Sequence, residues 1–190
     1  MIWLVLGLAL WVAAHLFKRA APGPRAALQA RMGDAARGLF AVVILAAVVL
    51  MVLGYRSAGV VVLYTPPAWG MHLNNLLLLA AVALYGVGNS QSRLRARMRH
   101  PMLTGTLLWA VGHLLVRGDA ASVLLFGGLG LWAVAAMLAI NAREPAWTPW
   151  RGGSLAGDIR LGVIAAVLYL AIVALHGWLG PWPLPGGRWW

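Results

Sequence analysis

Apolar residues run along this chain in six long blocks, separated by short segments rich in arginine, glycine and proline. The blocks cover residues 1–17, 39–55, 69–87, 101–116, 120–140 and 159–178. None alternates with the period of two that a strand with one wet face requires, and no block repeats another. About 20 apolar residues in a helix cross a hydrocarbon core of about 30 Å, and a helix satisfies its own backbone hydrogen bonds there. The pattern therefore predicts an all-α integral membrane bundle of about six transmembrane helices, in a single membrane domain over residues 1–190. Only Arg117-Gly118-Asp119 separates the fourth and fifth blocks, which predicts an antiparallel hairpin. Pro22-Gly23-Pro24 ends the first block. The Ala-rich segment Arg25 to Arg37, with Leu28 and Met32 at helical spacing, then reads as a short helix on the lipid surface. No loop is long enough to hold a separate catalytic domain.

Composition agrees. The chain is 62% hydrophobic and 10% charged, against about 45–50% and about 25% in a soluble domain. Its net charge of +11 would suggest nucleic acid in a soluble protein. Here the bases sort by loop. Twelve of the fifteen fall at 18–38, 88–100 and 141–160, and three fall on the other side, at Arg56, Arg117 and Arg188. The positive-inside rule places the three basic loops in the cytoplasm and both termini outside it, in what reads as a bacterial inner membrane. The lipid bilayer then accounts for the charge and no nucleic-acid partner is expected. Met1-Ile2-Trp3 carries no base ahead of the first apolar block, so that block reads as a span and not as a signal peptide. Trp69, Trp178 and Trp182 mark the outer boundary, and Trp147 and Trp150 the inner one.

Chemistry narrows quickly. There is no cysteine, which excludes thiolate ligation, iron–sulfur clusters and thiol nucleophiles. The four acids, Asp34, Asp119, Glu144 and Asp158, lie outside the apolar blocks, so a carboxylate relay through the membrane is not expected. Five histidines remain: His15, His72, His100, His113 and His176. An ionisable side chain inside a span is a functional candidate, and imidazole is a common metal and haem ligand. At about 1.5 Å per residue, His113 lies roughly 6 Å outward of the middle of its span, His72 roughly 10 Å outward and His15 roughly 8 Å inward. His100 stands near the inner surface. Trp109 and Arg117 flank His113 one turn to either side on the same helix face, where an indole could pack on a flat ring and a guanidinium could meet a carboxylate. Gly105, Gly112, Gly127, Gly128 and Gly130 would let the fourth and fifth spans approach closely.

The stretch Arg99-His100-Pro101-Met102-Leu103-Thr104-Gly105, followed by Leu108-Trp109 and then His113-Leu114-Leu115-Val116-Arg117-Gly118-Asp119, resembles the NnrU family of membrane proteins. The likeness continues in Gly7-Leu8-Ala9-Leu10 leading to His15, in Pro66-Pro67 before Trp69 and His72, and in His176-Gly177-Trp178-Leu179-Gly180. Met102 and Arg117 stand where relatives often carry Gln and Asn, which bears on a substrate contact more than on the fold. The resemblance implies denitrification-linked or nitric oxide-linked redox chemistry. Through the related 15-cis-zeta-carotene isomerase, it also implies bound haem b, with His15 and His113 as the iron ligands, and carotenoid-type isomerisation as a related activity. Two imidazoles on one iron need Cα atoms within roughly 13 Å, whereas the depths of His15 and His113 differ by roughly 14 Å. Helix tilt of about 20° closes that gap; without it His72, about 4 Å from His113 in depth, is the alternative partner.

Arg99-His100-Pro101 with Leu103 and Gly105 is also similar to the motif of isoprenylcysteine methyltransferases, which use S-adenosylmethionine. Their downstream acidic pair is represented only by Glu144. A non-catalytic membrane accessory protein is the third reading. Whether the chain is an enzyme stays open at this level. The expected partners are the bilayer and either a small hydrophobic substrate or a redox partner.

Overall fold

A computed structural model describes residues 1–185, apart from the side chain of Lys18. Arg188, assigned above to the outer side, lies outside the described residues. Among the described residues seven helices follow in order: α1 (Ile2–Ala20), α2 (Pro22–Met32), α3 (Ala35–Arg56), α4 (Gly70–Val87), α5 (Pro101–Leu114), α6 (Ala120–Arg143, with a π-helical turn at Val123–Gly127) and α7 (Leu155–Leu179). The protein is all-helical, as the apolar blocks require. Four of the helices, α3, α4, α6 and α7, are long and apolar enough to cross a bilayer, and α1 with α2 makes a fifth if the bent pair is one span. The count falls below six partly because α5 has only 14 residues. It is about 21 Å long against a core of about 30 Å. Pro101 fixes its start, and the chain turns away after Leu114.

Two compact units result: Met1–Leu63 with Asp119–Gly128, and Tyr64–Gly118 with the chain from Leu129 onward. In the first, α1 and α3 run antiparallel. Gly7 lies against Met51 and Ala47, Gly54 against Leu4, and the Phe17 ring 5.7 Å from Phe40. In hydrocarbon the lipid tails are as apolar as leucine, so close backbone approach through small residues is what holds helices together. A Cβ at Gly54 would sit 2.2 Å from the backbone nitrogen of Leu4. Pro22, which has no N–H to donate, opens α2, and the axis turns by 83° from α1. The helix buries no residue, and the guanidinium of Arg25 lies 4.5 Å over the ring of Phe40. That geometry suits the expected surface helix. Asp119 caps α6 by accepting from the Ser122 N–H at 2.9 Å and its hydroxyl at 2.6 Å, and Ser122 also meets the Tyr55 hydroxyl at 2.9 Å.

In the second unit, α5 runs antiparallel to α4: Gly70 packs on the Leu115 carbonyl, Gly112 on Asn74 and Leu78, and Gly105 on Ala81 and Leu84. Gly105 and Gly112 thus serve the third and fourth apolar blocks, where the sequence had suggested the fourth and fifth. Gly130 does face Ala110 of α5, and Gly127 meets nothing within 4 Å. Helix α7 is also antiparallel to α4, through Leu161 against Gly86 and Tyr169 bonded to Asn75.

The segment before α5 contains only a 3-10 turn at Arg93–Ala96, and three of its four arginines are tied into the fold. Arg93 pairs with Asp158 at 2.5 Å, Arg95 lies 4.5 Å over Trp150, and Arg99 donates to the Glu144 carbonyl. Asp158 also accepts from the Ser92 hydroxyl at 2.7 Å and the Arg93 N–H at 2.8 Å, so it pins this loop to the start of α7. Asp158→Ala is therefore expected to raise tryptic cleavage after Arg93, Arg95 and Arg97 severalfold, because local opening becomes easier. An unchanged cleavage rate would show that Gly153 and Gly157 hold the loop without the carboxylate.

Candidate functional site

Between α4, α5 and α7, inside the second unit, lies a cavity of about 550 Å³. This is within the range of about 300–1,000 Å³ common for small-molecule sites. Its deep half is apolar, with Leu78, Ala81, Val82, Leu161, Ala165 and Leu168 on the wall. Its other half, toward the start of α4 and the ends of α5 and α7, gathers Asn74, Asn75, Tyr169, His113, Arg117 and His176. Among the described residues no carboxylate lines it.

Three of the residues singled out from the sequence, Trp109, His113 and Arg117, therefore stand on one wall. The His113 Nδ1 lies 2.9 Å from the Trp109 carbonyl, and the two rings are 4.9 Å apart at 52°. A carbonyl can only accept, so Nδ1 carries the proton. In the neutral ring Nε2 then holds the lone pair, which is how a ligating histidine is set by its outer hydrogen bond. His15 repeats the device in the first unit. Its Nδ1 lies 2.9 Å from the Trp11 carbonyl, with rings 4.1 Å apart at 33°. Both are Trp-x-x-x-His sequences on helices.

The other histidines differ. His72 is exposed on α4 and is not part of the cavity wall. His100 sits at the start of α5, 2.8 Å from the Asn141 side-chain oxygen. His176 belongs to the cavity and donates through Nδ1 to the Pro181 carbonyl at 2.9 Å. Sequence reasoning missed His176, Asn74, Asn75 and Tyr169 as wall residues. The Asn74-Asn75 pair was a visible signal, since two amides inside an apolar helix need partners. Among the described residues no three His, Asp or Glu side chains gather as metal ligands. The donor set on offer is imidazole in ones and twos.

The family model described as NnrU protein matches residues 3–183. The chain belongs to the NnrU family. No curated protein and no solved structure matches this NnrU chain. Membership together with the apolar helices makes it an integral membrane protein of NnrU type.

Proposed function

We propose that this NnrU protein binds haem b through its Trp-x-x-x-His helices and serves denitrification-linked or nitric oxide-linked redox chemistry in a bacterial inner membrane. The observation that carries the reading is the repeated device at His15 and His113, where a backbone carbonyl fixes the tautomer and an indole braces the ring. Each of His113 and His15 carries an imidazole of the kind that ligates haem iron, Trp109 would flank the macrocycle, and Arg117 is the cation available to a propionate. Bound haem would supply one-electron chemistry and an iron site for a diatomic gas. The chain's own part is to orient the imidazoles and to exclude water with an apolar wall. His72, exposed and without the device, is the weaker partner. The test is the absorption spectrum of the purified protein. A Soret band is expected, and its absence after expression with ample haem supply would return the reading to a methyltransferase or an accessory protein.

We read α1 and α5 as spans too, giving six in one membrane domain. Helix α5 lies beside α4 from Gly70–Leu115 to Ala81–Gly105, and α1 lies beside α3 from Leu4–Gly54 to Phe17–Phe40. The basic loops then face the cytoplasm. Arg97→Cys should be shielded from an impermeant thiol reagent in intact cells, and Arg56→Cys should label. The reverse pattern would invert the orientation.

A further inference from the structure

Beyond Leu179, where α7 ends, residues 180–183 turn back across the gap between α7 and α4. On the α7 side, the His176 ring donates through Nδ1 to the Pro181 carbonyl at 2.9 Å. On the α4 side, the Asn75 amide donates to the Pro183 carbonyl at 3.2 Å. Asn75 is itself held in place: its amide also donates to the Met71 carbonyl at 3.0 Å, and its oxygen accepts from the Tyr169 hydroxyl at 2.7 Å. Asn74, one residue earlier, instead packs on Gly112. Between the two anchors, the Trp182 ring fills the space beside Gly177, where a Cβ would come within 2.3 Å of it. Asn75, His176 and Pro183 all line the cavity. The segment is thus a strap from one helix to the other, lying over the end of the cavity where α4 starts and α7 stops.

Its composition lets it lift. Pro181, Pro183 and Pro185 have no N–H to donate, so this stretch can neither continue α7 nor pair as a strand. The hydrogen bonds to Pro181 and Pro183 come from side chains. A segment held in this way opens at much lower cost than a helix packed along its length. Proline also fixes φ, so the strap has little chain freedom to lose each time it reseats. Trp182 is 42% exposed, so its seat beside Gly177 is a partial one.

The two approaches to the cavity differ in chemistry. Along the middle of α7, Ile164, Leu168 and Ile172 line it and are 50%, 50% and 49% exposed, a wall that suits lipid and turns away charged solutes. The strapped end carries Asn75, Arg117 and His176, which suit a water-borne solute.

We infer that residues 180–183 form a lid. Seated, it shuts the polar end of the cavity to charged, water-borne solutes; lifted, it admits them to the wall that carries His113 and Arg117. The inference concerns access, whatever the cavity holds, so it stands on the contacts of the strap and goes beyond the haem reading.

The chain has no cysteine, so one reporter thiol can be placed cleanly. Val116→Cys puts it on the cavity wall. Full-length protein in lipid nanodiscs is treated with a charged methanethiosulfonate and, in parallel, with uncharged N-ethylmaleimide. With the strap unaltered, the charged reagent should react about tenfold more slowly than with a thiol at the exposed Arg56→Cys position. Trp182→Ala, which empties the seat, should speed the charged reaction about tenfold, the scale of one large apolar side chain losing its packing. Gly177→Val, which pushes the ring away from the α7 side, should do the same, and Trp182→Phe should restore the slow rate. The uncharged reagent can arrive through lipid, and it should keep one rate throughout because neither Gly177 nor Trp182 lines the cavity. A charged-reagent rate that ignores both Trp182→Ala and Gly177→Val would overturn the proposal. So would a rate at Val116→Cys equal to that at Arg56→Cys with the strap unaltered, a comparison that needs no strap variant to fold. The Soret band of the same samples decides the haem reading separately. Haem-free protein whose charged-reagent rate follows the strap supports the lid while failing the haem reading, and haem-loaded protein whose rate ignores the strap does the reverse.

Discussion

His113→Gln is expected to abolish the Soret absorbance of the purified protein while leaving it inserted in the membrane. The argument weighs two roles for one ring. As a packing residue, His113 contributes its bond to the Trp109 carbonyl and its contact with the indole. Losing that hydrogen bond costs about 1 kcal/mol. Such a loss leaves the helix in place. As an iron ligand it contributes Nε2, and no amide replaces an imidazole nitrogen at iron. The two roles therefore predict different spectra from equally well-folded protein. His15→Gln is expected to behave in the same way, because the Trp11 carbonyl holds Nδ1 of that ring at the same distance. His72→Ala and His100→Ala should keep the full spectrum, since neither ring has the tryptophan brace and His72 is exposed. A full haem spectrum in His113→Gln would remove the assignment and put the accessory-protein reading ahead.

Adding one methyl group at selected glycines should have opposite effects on stability. Alanine favours a helix over glycine by about 1 kcal/mol, so propensity alone predicts that every helical Gly→Ala change stabilises. Gly162→Ala on α7 should follow that rule, because nothing lies within 4 Å of its Cβ position. Gly54→Ala and Gly157→Ala should break it. Their Cβ atoms would fall 2.2 Å from the Leu4 nitrogen and 2.0 Å from the Gln91 carbonyl oxygen. Both obstacles are backbone, which cannot rotate aside. Whole segments must shift, at a cost of about 3 kcal/mol. Thermal unfolding in lipid would check this: Tm should rise slightly for Gly162→Ala and fall clearly for the other two. A neutral Gly54→Ala would mean that α1 and α3 are less tightly apposed than their contact at Leu4 requires.

The helices were legible because one property, apolar length, decides both where a membrane chain is helical and where it stops. Pro101 announced the start of α5, whereas Pro22-Gly23-Pro24 was legible only as a break, and α2 runs Pro22–Met32 where the sequence suggested Arg25 to Arg37. The facing of small residues was not legible. Gly105 and Gly112 have the same spacing whether they meet α4 or α6, and only the folded chain shows them against Ala81 and Asn74. The tie between the loop before α5 and the start of α7 was not legible for a related reason. Asp158 lies 65 residues from Arg93, and nothing local to either tells that they meet. Of the candidate site, the Trp109–His113–Arg117 wall was legible from helical periodicity on a single helix. His176 and Tyr169 come to the same cavity from another helix, and a depth estimate gives height in the membrane but not the side of the helix that faces inward. Asn74 and Asn75 were in plain view as polar residues in an apolar block, yet their separate fates depend on Tyr169, Pro183 and Gly112.

In the cavity between α4, α5 and α7, Ile164, Leu168 and Ile172 stand about half exposed, so this apolar wall is open to detergent alkyl chains once the protein leaves its membrane. Solubilised protein should therefore carry detergent as a guest, stoichiometrically and not merely as a belt. Apparent affinities for any native occupant should weaken as detergent concentration rises, even where the micelle leaves the fold intact.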